Sequence, residues 1–187
     1  MSVPGIRFDG AVPSTGVPRH GVAALRDRLV GGERGIGGLV YGTVLALAAL
    51  TAGSAEKKSP WTLAVLVAST AFVIWIAHVY AHGLGESIER RRRLDAAEFR
   101  GIALRELPIL AAAIPPTVAL LLGAVGVMRE ASAIWLAFGL GLGELAVEGA
   151  RYASVERLGV LGTALAVAAN LALGGVVVAL KVFVLHH

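Results

Sequence analysis

Two pairs of ionisable residues, His78 with His82 and Glu144 with Glu148, each repeat at a four-residue step inside a long apolar run. Glu86 extends the histidine series by one more step. A four-residue step stacks side chains on one face of a helix. An imidazole facing a carboxylate is a natural proton relay or ligand set. Glu144 has no basic residue within a turn on its own run, so a partner must come from another helix, and His78 is the natural candidate. Glu148 differs, because Arg151 three residues on can satisfy it locally. Tyr41 and Asn170 are further polar groups set within apolar surroundings. Together Glu144, His78, Glu148, Tyr41 and Asn170 are the candidate ion or proton pathway. His78, His82, Glu144 and Glu148 could in principle supply four ligands to zinc, iron or manganese. That set needs His82 to turn inward from the very edge of its run, so the expectation is no bound metal and no cofactor.

The elements that must position these groups are membrane helices. The chain has 56% hydrophobic and 16% charged residues, and its mean hydropathy is +0.74. Soluble domains carry nearer a quarter charged residues. Cysteine is absent, which excludes disulfides, thiol catalysis and cysteine metal sites. The formal charge of +4 fits basic loops against anionic headgroups better than nucleic acid, which is not expected as a partner. The fold expected is all-α, a polytopic transmembrane bundle of five spans.

Residues 1–34, rich in proline and glycine, read as a flexible cytosolic arm with no signal-peptide core. The transmembrane domain then runs over 35–185. Its first span is 35–53. The second starts at Trp61, behind Pro60, which suits a first helical turn. The third covers 108–128 and contains Pro115 and Pro116, which break the hydrogen-bond ladder and free carbonyls near Ala111 and Ala112. The fourth is 133–152 and the fifth 158–185, with Lys181 able to snorkel outward. The GLGLG run Gly139–Gly143 in the fourth span suggests close helix packing. Between spans two and three, residues 83–107 form a basic interfacial segment. There Asp95 and Glu98 suggest a capping box, with Phe99, Ile102 and Ala103 toward the membrane. Arg90, Arg91, Arg92 and Arg93 read as a topology signal that contacts anionic lipid.

Thirteen of the 17 lysines and arginines fall on the side of the arm and of 83–107, which places the amino terminus in the cytosol. Matches at an offset of 74 residues (Thr43-Val44 with Thr117-Val118, Trp61 with Trp135, Leu84-Gly85 with Leu158-Gly159) suggest two parallel hairpins plus one extra span. At ~1.5 Å of rise per residue, His78, Glu144, Glu148 and Tyr41 all fall within about 10 Å of the cytosolic edge. Asn170 lies deeper.

The strings VYGTVLALAAL and WIAHVYAHGLGE resemble small uncharacterised integral membrane proteins of high-GC bacteria, with a tyrosine-glycine-threonine first span and an AHVYA-like second. The resemblance covers residues 34–90. It implies location in a bacterial cytoplasmic membrane and implies no activity. Three functions fit the residues. The first is a proton or cation channel or transporter built on an intramembrane His–Glu site, expected as a dimer. The second is an accessory or scaffold subunit that docks a membrane-complex partner. The third is an intramembrane hydrolase. For the last, Glu144, Glu148 and Arg151 resemble the glutamate-arginine motif of CAAX-type membrane proteases. Those have adjacent glutamates and a second histidine helix, both absent here, so enzymatic activity is not expected.

Overall fold

A computed structural model describes residues 33–185, with side chains from 35 to 179. The arm expected over 1–34 and the side chain of Lys181 lie outside that range. The described chain is all-helical. Its elements are α1 (Glu33–Ala55), α2 (Pro60–Glu89), α3 (Ala96–Arg105), α4 (Leu107–Ala111), α5 (Ile114–Ala124), α6 (Glu130–Val155) and α7 (Val160–Leu185). Five segments are long and apolar enough to cross a membrane, with α4 and α5 together making the third. The termini of the spans alternate, so the 83–107 segment, the α6–α7 turn and the start of α1 share one end, here the basic end.

Local chemistry sets these boundaries. Pro60 occupies the first turn of α2, and Ser59 caps it with its side chain accepting from the Thr62 N–H. The Asp95–Glu98 capping box forms as the sequence suggests, with both reciprocal bonds present. Pro115 and Pro116 begin α5 and lack the N–H groups that would reach back to Ala111 and Ala112, so the third span breaks between α4 and α5. That span ends at Ala124, four residues short of the expected Met128, where a turn through Gly126 takes over.

α1 is the hub, packing against α2, α4, α6 and α7. The shared apolar core gathers Leu47, Leu50, Leu63, Val67, Leu120, Phe138 and Leu145, all from the middle and far half of the bundle. Close approach at the basic end depends on glycine. A Cβ at Gly42 would sit 2.6 Å from Ile109 O, and one at Gly149 would sit 2.9 Å from Ala166 O. The GLGLG reading needs correction in detail. Gly139 and Gly143 face open space, while Gly141 between them packs on Leu47. In a helix, alternate positions point to opposite sides, so one register of that run faces lipid.

The interfacial helix α3 also differs from expectation. Ile102 is buried and Phe99 lies against Gly83, so α3 packs on the end of α2 as well as facing outward. The Trp75 indole N–H donates to Ala103 O at 3.1 Å, and Arg105 reaches Glu86 at 3.1 Å. At the 74-residue offset, Trp61 and Trp135 both face out, but Thr43 is fully buried where Thr117 is half-buried, and Val44 is half-buried where Val118 is exposed. The helices that carry them differ, since α1 is continuous and its counterpart is broken.

Candidate functional site

The candidate residues fall into two groups on opposite sides of α1. Tyr41 and Thr43 are two residues apart, about 200° around a helix. The Tyr41 ring meets His78 with centroids 4.9 Å apart. The Thr43 hydroxyl, on the other side, stands near the carboxyl of Glu144. His78 and Glu144 are therefore separated by α1 and do not form the pair that depth alone suggests.

On the α2 side, the His78 Nδ1–H donates to Ile74 O at 3.2 Å, which leaves Nε2 available. The His82 ring lies 6.0 Å from that of His78 and pairs through Nδ1 with Glu106 at 2.9 Å. Glu86 is held by Arg90 and Arg105. Glu106 is a participant that sequence spacing did not reveal. Its only signal is position, as the last charge before the third span. Further out, Glu98 binds Arg90 and Arg92. The Arg92 guanidinium and then the Asp95 backbone N–H hold the Glu98 carboxyl down at about 2. Arg91 and Arg93 form no ion pair among the described residues and are exposed.

On the α6 side, Glu148 is only 4% exposed and receives two bonds from Arg151, at 2.6 and 2.7 Å. Glu144, one turn deeper, has no such partner. Its Oε2 is enclosed and has no hydrogen-bond partner among the described residues. Thr43 is fully buried and gives its own proton to Leu39 O at 2.8 Å, so what it offers a neighbour is a lone pair. Thr43 is the second residue missed from sequence, although a threonine inside an apolar span is a visible signal. Asn170 lies on α7 beside Gly149 and shares a cavity lining with Tyr41.

The four residues of the conceivable metal set are not brought together, since the histidines and the glutamates lie on opposite sides of α1. Among the described residues no group of three or more His, Asp or Glu side chains converges on a metal-sized position.

Fold and site together define a small multi-pass membrane protein with a carboxylate enclosed inside one span. Comparison with protein-family models, curated proteins and solved structures finds no match to this chain.

Proposed function

We propose that this protein moves protons or a small cation across its membrane, with Glu144 as the group that takes up and releases the charge. One observation carries the reading: an enclosed carboxyl oxygen in the middle of an apolar bundle with no hydrogen-bond partner among the described residues. An ionised carboxylate left alone there is costly, so such a residue persists when it has work to do. Thr43 supplies an acceptor for the protonated form, because its own hydrogen is committed to Leu39. The neighbouring Glu148–Arg151 pair, nearer the basic end, gives an exchange route toward water. By the excess of arginine, the basic end faces the cytosol of a bacterial cell. His78 and Tyr41 belong to a separate chamber and have no place in the transfer at Glu144.

Flux into proteoliposomes under a proton or cation gradient tests this. Wild-type protein should conduct, and Glu144→Gln, which keeps the shape, should lower flux by at least about tenfold at equal reconstitution. Equal flux in the two proteins ends the assignment. A second reading, an accessory subunit or a dimer, draws on α7. That helix buries almost none of its apolar length within the chain. Cysteines introduced along its outer face should then cross-link between copies or to a stoichiometric partner. The hydrolase reading gains no support, since its histidines and glutamates stand on opposite sides of α1.

A further inference from the structure

The face of α1 carrying Gly37 and Tyr41 is left open between α2 and α7. It is the common floor of two cavities. One, of about 680 Å³, opens at the basic end, and its walls carry His82, Glu86, Glu89, Arg105 and Glu106. The other, of about 470 Å³, runs between α1 and α7 and is apolar except for Tyr41, Tyr152 and Asn170. Gly37 and Tyr41 line both, so the two form one lateral crevice. It is polar where headgroups lie and apolar beneath.

That division matches a single amphiphile, and the polar chamber narrows its headgroup. Both signs of charge are present. Arg105 offers donors, although it also holds Glu86. Glu89 has no ion-pair partner among the described residues, and Glu106 engages only His82. Carboxylates in the chamber outnumber the guanidinium, which disfavours a headgroup of net negative charge. Carboxylates also need N–H donors, which a primary ammonium has and a quaternary one lacks. Acyl chains gain little by leaving lipid for an apolar groove, so selectivity rests on the head. We propose that this crevice binds one phospholipid of the phosphoethanolamine class. Its phosphate lies toward Arg105 and His82, its ammonium toward Glu89 and Glu106, and one acyl chain lies along the α1–α7 groove. This goes beyond the transport reading and does not depend on Glu144.

Intact-protein mass spectrometry of the full chain tests it, from micelles holding equal amounts of phosphatidylethanolamine, phosphatidylglycerol and phosphatidylcholine. A single phosphatidylethanolamine adduct should exceed either of the others by about tenfold. Gly37→Leu should abolish it by filling the junction. A Cβ at Gly37 meets nothing within 4 Å, so the variant has room to fold. Gly143→Leu, equally open but on α6 away from the crevice, should leave the adduct unchanged. Glu89→Gln, which changes no ion pair, should reduce the preference over phosphatidylglycerol severalfold. Equal retention of the three lipids, no adduct of any of them, or an adduct that survives Gly37→Leu would each overturn the proposal. Glu144→Gln should retain the adduct while losing flux, which separates this inference from the transport reading.

Discussion

Glu144 and Glu148 stand one turn apart on the same helix in opposite circumstances, and the difference is a matter of who reaches them. Glu148 is met by Arg151, a neighbour three residues along, so that pair was readable from spacing alone. Breaking it leaves a buried charge alone: Arg151→Met should destabilise the protein by about 3 kcal/mol. The double variant Glu148→Gln/Arg151→Met should recover most of the loss, as measured by unfolding in mixed micelles. If the single variant is as stable as wild type, the pair is only an interfacial contact. That Thr43 is the side chain facing Glu144 was not readable, because it depends on how α6 and α1 are rotated in the bundle. Helices that are apolar nearly all round carry little amphipathic signal to fix that rotation. Depth placed His78 and Glu144 in one layer, but it could not place α1 between them. Thr43→Val tests the residue that does face Glu144. The exchange is nearly isosteric and removes the hydroxyl, both the acceptor beside Glu144 and the bond to Leu39 O within the same helix, so under the proposed transport flux should fall severalfold with folding retained.

Among the elements, the boundaries most legible in the sequence were those set by local chemistry: Pro60 at α2, the capping box at α3, and the proline break between α4 and α5. Packing distances were not legible, since a glycine looks the same whether it faces a neighbour or lipid. The structure separates the two cases. Gly42→Ala would drive a Cβ into the Ile109 carbonyl, which cannot shift cheaply, and should cost about 1–3 kcal/mol. Gly139→Ala has open space and should be neutral or slightly stabilising, as alanine favours helix. The same unfolding assay distinguishes them, and equal effects would contradict the packing. The docking of α3 is pH-dependent in a direction that follows from Glu98. Arg92 and the Asp95 N–H hold its folded pKa at about 2 against an ordinary 4.5, so its stabilisation is full above about 4.5 and is lost as pH falls toward 2. Trp75 reports the event, because its indole is bonded to Ala103 on α3. In a Trp61→Phe/Trp135→Phe background, its fluorescence should change over that interval. Glu98→Gln should show the low-pH signal already at neutral pH.

At the scale of the whole molecule the bundle is closed at one end and open at the other. The main apolar cluster packs the middle and far half, while the basic end buries Ile36, Leu39, Ile102 and Ile109 beside glycine contacts and holds the two cavities described above and most of the charge. The five-span plan was legible because hydropathy and length suffice for it. This asymmetry was not, since it arises from which small residues meet which backbones. It bears on orientation. Arg90, Arg91, Arg92, Arg93, Arg100, Arg105, Arg151 and Arg157 lie at the open end, against Lys57, Lys58 and Arg129 at the closed one. In the proposed orientation, which rests on the positive-inside bias, the cavities and the Glu148–Arg151 pair face the cytosol, and under the proposed transport a charge released from Glu144 toward that pair would leave on that side. The chain has no cysteine, so single substitutions map this directly. Glu56→Cys and Ser132→Cys at the closed end should react with a membrane-impermeant maleimide in spheroplasts. Arg91→Cys and Glu156→Cys should react only after lysis. The reverse pattern would place the crevice and the carboxylates on the outer side, so that the same flux assay would have to be read with its gradient inverted.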